Sequence, residues 1–519
     1  MSEDTLQKST TGKSAANRTA ALFLTGLSLL HLGLVFRFPL APDETYYWEW
    51  SRHPGYGYYD QGPMVAWVIH FFCSLSGNNG FGIRIGIVFA STLTFLFLYL
   101  TARDLLGHRS AMRAIVALSL TPLAMAGGFV AIYDPLVALF WAGALYFSSR
   151  ALFFNNSNAW WFAGICFGLG LLSKHTMIFY LPCLLIFLLY FPGQRHHLRE
   201  YRPYMALGLG LLVFSPNLIW QMNHHWMTFA HLFILAGKGT DHTALRRFGD
   251  FLGSQVGLLS PLLFFGLLGA MVWAWKRACR DGDEKIGFLL AMGLPTLLFF
   301  LMMTFKSKVQ ANWAICGWFT PPMLYAAWLE NVPAKSLRMR YYLVSVALCG
   351  MLTLLLIMPE LRGPLHLHIS PRLDQMNKLY GGSELGAAAG EAHEEMIAAT
   401  GKPVAVGAVT YDNAGRMGFY MPNKPASWCP FLGTRLNSYL LWNKTAAPAI
   451  GGNALLADDY APDDPGLPPF NKIFDRVEPV AEPVYVYRHS LYREPVHVYY
   501  LYRCYGYRPN PSVEQPGGG

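Results

Sequence analysis

The sequence predicts a polytopic α-helical membrane protein of about 11–13 transmembrane helices with a C-terminal α/β domain. Three observations predict it. Of 519 residues, 53% are hydrophobic and only 14% charged, where a soluble chain carries about 25% charge. The apolar residues gather in long uninterrupted runs. Beyond position 359 the pattern changes to short alternating runs separated by turn residues. The net charge of +9 comes from Lys and Arg clusters between the apolar runs, so it is no nucleic-acid footprint and no nucleic-acid partner is expected.

The elements follow in order. Segment 1–18 is a polar, mildly basic tail. The apolar run 19–37 has no small-residue cleavage site near its end, and its polar lead is long for a signal peptide, so it reads as an uncleaved first span. Further apolar segments lie at 82–102, 112–132, 135–150, 160–173, 176–191, 204–220, 251–275, 286–304, 312–329 and 341–358. Alternate linkers are basic: Arg103/Arg109/Arg113, Arg195/Arg199/Arg202, Lys276/Arg277/Arg280/Lys285 and Lys335/Arg338/Arg340. With Lys8, Lys13 and Arg18 they share one side if every span crosses once, and the positive-inside rule makes that side cytoplasmic.

On this topology the membrane region is 19–359, with a long outer loop at 39–81. On the same outer side fall the turn at Tyr133 and Asp134, the break at Lys174, the His-rich loop 221–250 and the Lys306–Lys308 turn. An outer α/β domain follows at 360–508, and 509–519 reads as a disordered tail. Within that domain 404–409 and 453–459 read as strands, 484–507 as a strand pair and 383–400 as a helix. Four of the eight cysteines (Cys166, Cys183, Cys316, Cys349) lie in apolar runs as small hydrophobes; Cys429 and Cys504 share the polar region and can pair in an oxidising compartment.

The stretch "PDETYYWEWS" (42–51) sets two adjacent acids, Asp43 and Glu44, beside four aromatic rings just beyond the first span. One reading is an aromatic belt with solvated acids; the other is a catalytic carboxylate walled by rings such as Tyr46. Adjacent residues do not share a helix face, so of Asp43 and Glu44 one reaches into a site and the other braces the loop. An acid in a desolvated setting has a raised pKa, which suits a general base. "GYYDQGPMVAW" (57–67) adds Tyr59, Asp60 and Gln61 in a second acid-aromatic turn. Asp134 precedes Pro135 at a helix start, where an acid also serves simply as a partner of the helix N-terminus. Lys174 interrupts an apolar stretch and is either functional or snorkelling. With Lys306, Lys308 and Arg84 it makes a cation set suited to a phosphate. Asp60, His225 and His231 are candidate ligands of a divalent metal, against the simpler reading as loop histidines; no HxxxH or HExxH spacing supports the metal, and no cofactor is certain.

Taken in order, "PDETYYWEWS", "YYDQGPMVAW", "YDPLV", "LLSKHTM", "SQVGLLSPLLF" and "KSKVQANWA" resemble the bacterial glycosyltransferase family 39/83 group. These are GT-C class membrane enzymes related to protein O-mannosyltransferases and the lipid A aminoarabinose transferase. "DQMNKLYGGSELG" and "RLNSYLLWNK" are similar to the periplasmic domain of lipopolysaccharide galacturonosyltransferases. The resemblance implies a GT-C fold in the bacterial inner membrane, with active site and C-terminal domain periplasmic. It implies inverting transfer of a sugar from a polyprenyl-phosphate donor to an envelope acceptor, lipid A or lipopolysaccharide core favoured and protein the other candidate. It makes Asp43 the essential acid with Glu44 its partner, Asp134 the second acid and Lys308 a phosphate-binding lysine, and it puts Asp60 at a metal-ligating position. Relatives carry His-Pro-Pro or Lys-Pro after that acid; this chain has Gln61-Gly62-Pro63. The competing classes are a multi-pass lipid or small-molecule transporter and a non-catalytic receptor. Acids at span ends, away from the midplane where carriers bind, favour the transferase.

Overall fold

The computed structural model describes residues 3–237, 243–367, 369–371, 373–488 and 491–510. Helices dominate up to residue 357: α1 (Glu3–Arg37), α2 (Pro42–Arg52), α3 (Met64–Ser76), α4 (Gly80–Leu106), α5 (His108–Ser119), α6 (Pro122–Gly127), α7 (Tyr133–Phe153) and α8 (Ala159–Ser173). They continue as α9 (Tyr180–Tyr190), α10 (Tyr201–Asn223), α11 (Met227–Gly237), α12 (Ala244–Leu259), α13 (Pro261–Asp281), α14 (Glu284–Ala291), α15 (Leu294–Met303), α16 (Pro321–Trp328) and α17 (Leu337–Ile357). Among the described residues seven stretches are long and apolar enough to cross a membrane: 15–37 of α1, α4, α7, α10, α13, the α14–α15 pair and α17. The chain is a multi-pass membrane protein.

Four of the expected spans are broken, each next to a proline; the run 286–304 divides at Met292 and Gly293, ahead of Pro295, into α14 and α15. The run 112–132 divides at Pro122 into α5 and α6, with the Thr121 hydroxyl accepting from the Ala124 N–H to cap the second piece. The run 251–275 divides at Ser260, held at φ +70° ahead of Pro261. The run 312–329 is a 3-10 helix, Ala311–Trp318, followed by α16 with Pro321 and Pro322 in its first turn. Proline is tolerated at a helix start but disfavours helical backbone in the residue before it. Hydropathy alone does not register those breaks.

The C-terminal part opens with α18 (Gly382–Thr400), then β1 (Val404–Ala408), α19 (Tyr411–Tyr420), β2 (Ser427–Trp428), β3 (Asn453–Asp458), β4 (Phe474–Pro479), β5 (Val484–Val486) and β6 (His497–Tyr507). The sheet order is β2-β1-β3-β6-β4, and β5 also pairs with β6. β1 runs parallel to β2 and β3, whereas β6 is antiparallel to β3 and β4. Every residue of β3 is buried, as a strand inside a sheet covered by helices requires. Trp428, Leu456, Phe474 and Tyr502 are part of the core beside it.

Cys429 and Cys504, which the sequence leaves able to pair, are not joined: both thiols are free and buried. Cys504 lies on β6 opposite Ala454 of β3, and Cys429 follows β2 at the far edge. Strands β1 and β3 stand between them, so the separation is about 14 Å at strand spacing, beyond the reach of a disulfide. The tail beyond residue 510 lies outside the described residues.

The chain forms two compact units. One gathers segment 36–83, residues 130–132 and the chain after 358; the other holds α1 up to residue 35, residues 84–129 and α7 to α17.

Candidate active site

The acid stretch folds as α2. Ala41 is extended, Pro42 takes the first helical position and two acids fill the first turn, where the N-terminal N–H groups favour negative charge. Glu44 is fully buried. Its Oε2 accepts from the Ala41 N–H (2.7 Å) and its Oε1 from the Ala131 N–H (2.8 Å). Glu44 thus pins the helix start to segment 130–132 and braces the loop, which corrects its expected place among the catalytic groups.

Asp43 points elsewhere. It is partly buried, and its Oδ1 accepts a hydrogen bond from the Tyr411 hydroxyl of α19 at 3.4 Å. Burial, with the charges of Asp412 and Asp60 added, pushes its carboxyl up to about 6, against the opposing effects of Arg435 and the Tyr411 hydroxyl. A carboxylate so placed can take a proton near neutral pH.

Asp60 forms the hub beside it. Its Oδ2 accepts from the Tyr46 hydroxyl (2.6 Å) and the Ser438 hydroxyl (3.2 Å), and its Oδ1 from Arg435 Nη1 (2.8 Å). The Ser438 N–H donates to the Tyr46 hydroxyl (2.7 Å), while the Tyr59 N–H donates to Ser438 Oγ (3.2 Å). The Arg435 guanidinium lies over the Tyr411 ring, 4.7 Å from its centroid, and the Tyr46 and Tyr411 rings pack at 4.5 Å. Burial works against the charge of the guanidinium, but Asp60, Tyr411 and Tyr46 together hold it above its ordinary range. Gln61 is buried, and its carbonyl accepts from the Tyr58 N–H at 3.3 Å. The wall of rings is therefore a packed core around two carboxylates, not a belt at the headgroups.

The candidate metal ligands Asp60, His225 and His231 do not come together among the described residues. Both oxygens of Asp60 are held by protein donors, one of them a cation. His225 is exposed in a left-handed turn (φ +53°) and His231 is buried on α11; neither joins a group of three ligand atoms among the described residues.

In the membrane unit Lys174 and Asp134 form a buried ion pair, Nζ to Oδ1 at 2.7 Å. Asn312 Nδ2 donates to the other carboxylate oxygen at 2.9 Å, and the ammonium lies 4.9 Å from the Tyr133 ring centroid. Lys174 is thus committed to a carboxylate, contrary to its place in the phosphate set. Arg84 is completely buried; its Nη1 donates to the Val35 carbonyl (3.2 Å) near the end of α1, and it stacks 5.3 Å from the Phe129 centroid. That role is structural, closing a helix C-terminus. Lys306 and Lys308 are exposed at the turn after α15. Arg247 anchors the turn by donating to the Thr304 and Phe305 carbonyls.

Sequence reasoning missed Arg435, Tyr411, Asp412 and Ser438 as members of this site. "RLNSYLLWNK" contains two of them, Arg435 and Ser438. The signal available was a lone arginine entering an apolar-aromatic run.

Comparison with known proteins agrees with this architecture. Residues 60–220 match the family described as dolichyl-phosphate-mannose-protein mannosyltransferase. The chain is 30% identical over 292 residues to the lipid A galacturonosyltransferase RgtD of Rhizobium johnstonii, covering 55% of this chain and 60% of that one. It is 27% identical over 319 residues to undecaprenyl phosphate-alpha-4-amino-4-deoxy-L-arabinose arabinosyl transferase 1 of Pseudomonas fluorescens, covering 55% and 56%. The match thus spans a little over half the length of these curated relatives. The crystal structure of ArnT from Cupriavidus metallidurans superposes with a TM-score of 0.61 at 14% identity, covering 94% of this chain and 98% of that one. A second structure of that protein, bound to undecaprenyl phosphate, gives a TM-score of 0.60 at 13% identity, covering 93% and 97%. Residues 60–220 thus carry the pattern of that mannosyltransferase family, and the chain shares the fold of ArnT.

Proposed function

We propose that the protein is an inverting glycosyltransferase that moves a sugar from a polyprenyl-phosphate donor to an envelope lipid. Lipid A or the lipopolysaccharide core is the favoured acceptor, at the periplasmic face of the bacterial inner membrane. The observation that carries the reading is Asp43: a partly buried carboxylate with a raised pKa, bonded to Tyr411 and beside the Arg435–Asp60 pair. The named activities of the relatives, galacturonosyl and aminoarabinosyl transfer, support the donor and acceptor classes. They weigh against the transporter and receptor readings.

The chemistry is as follows. The acceptor hydroxyl attacks the anomeric carbon as the bond to the phosphate oxygen breaks, and Asp43 takes the hydroxyl proton. The lipid phosphate leaves with the bonding pair, and fixed cations stabilise the charge it gains. Arg435 keeps the field at Asp43 positive enough for a useful fraction of carboxylate at neutral pH. The purified protein, given a polyprenyl-phosphate sugar and envelope lipid, is expected to form glycosylated lipid. Asp43→Asn is expected to lower that rate by about 10²–10⁴-fold, the usual worth of a general base, with unchanged melting temperature. Near wild-type turnover by the variant removes Asp43 from the mechanism, and substrate flux without product restores the carrier.

A further inference from the structure

The linker between α9 and α10 holds a second group of ligand-bearing side chains in the membrane unit. It folds as a 3-10 helix, Pro192–Arg199, with Glu200 just past its end. Three residues per turn stack positions i, i+3 and i+6 in one column. Gln194 and His197 are buried and Glu200 half-buried along that column, whereas Arg195, His196 and Arg199 are exposed beside it. Glu200 Oε1 stands 3.2 Å from His197 Nδ1 and 3.8 Å from His196 Nε2. One ligand atom from each of these three residues lies within 4.8 Å of the others.

Two further observations point to a missing cation. Neither ring nitrogen of buried His197 makes a well-formed hydrogen bond, and the buried Gln194 Oε1 has no donor. His196 is already oriented: its Nδ1 lies 2.8 Å from the Gly193 carbonyl, which can only accept, so Nδ1 carries the proton and Nε2 keeps its lone pair. A backbone carbonyl fixing the outer nitrogen is the usual support of a metal-bound imidazole.

We propose that His196, His197 and Glu200 bind one divalent cation of the zinc type, His196 through Nε2, His197 through Nδ1 and Glu200 through Oε1. Two imidazoles and a carboxylate suit such an ion, at about 2.0–2.2 Å from each donor, with the fourth position left to water. Exposed His196 supplies the small movement that closes the set, and the ion would clamp the linker.

The test uses full-length protein in detergent, carrying a histidine-free tag and stripped with chelator. Cobalt(II) titration should give one equivalent with the visible absorption of a four-coordinate N/O site, displaced by zinc. His196→Gln and Glu200→Gln should each weaken binding at least about tenfold. His196 is exposed, so its variant should fold normally, verified by an unchanged melting temperature. No stoichiometric cobalt binding by the wild type, or equal affinity in both variants, overturns the site.

Discussion

Asp43 and Glu44 are neighbours in sequence and opposite in use. Their division was legible because adjacent positions do not share a helix face; Glu44 received the backbone N–H groups and Asp43 the tyrosine. The partner of Asp60 was not legible, because Arg435 lies 375 residues away and only the fold brings it near. If Asp43 is the base, transfer should fall as pH drops through about 6, where its carboxyl takes up a proton. Arg435 lowers that value, so Arg435→Gln should move the acid limb of the pH–rate profile upward and cost more activity at pH ~6 than at pH ~8. A limb that stays put would make Arg435 merely structural. Lys174 reads differently: the sequence showed an expensive charge but not its buried mate, Asp134. Removing either alone should destabilise the fold by about 3–5 kcal/mol, because the other charge is left uncompensated. The double variant Asp134→Asn/Lys174→Met should recover most of that in thermal unfolding, and a double no better than the worse single would refute the pairing.

At the level of elements, α18, β1, β3 and the β5–β6 pair were visible as periodic runs with turn residues between them. The helix α19 was not, since "YDNAGRMGFY" is polar and glycine-containing, and its burial depends on what packs on it. Its glycines explain the packing. A Cβ at Gly415 would stand 2.9 Å from the Tyr46 backbone nitrogen and 3.0 Å from the Thr45 carbonyl carbon, so α19 approaches α2 backbone to backbone. That closeness brings the Tyr411 hydroxyl to Asp43. Gly415→Ala should force the two helices apart, destabilising the protein by about 1–3 kcal/mol as overpacking does, and should lower transfer beyond what the loss of folded protein explains. Differential scanning fluorimetry beside the transfer assay separates the two effects. An unchanged melting temperature and rate would mean that the contact yields without cost.

For the whole molecule, the membrane class was legible from composition, but the sidedness rests on charge alone. The basic linkers share one side only if every span crosses once, and four apolar runs are broken by prolines. The thiols provide a direct measurement. Cys279 is the exposed cysteine among the described residues, in the basic last turn of α13. Ile450, 79% exposed, lies in the C-terminal unit. A small impermeant maleimide that crosses the outer membrane should leave Cys279 unmodified in whole cells and reach it only after the inner membrane is opened. In the Cys279→Ser background, Ile450→Cys should react in whole cells. The two sites then report opposite sides, which requires segment 311–328 to cross as well as the α14–α15 pair and α17. Equal labelling of both in whole cells would place the basic linkers and the Asp43 site on one side, and a periplasmic transferase could not be built on that arrangement.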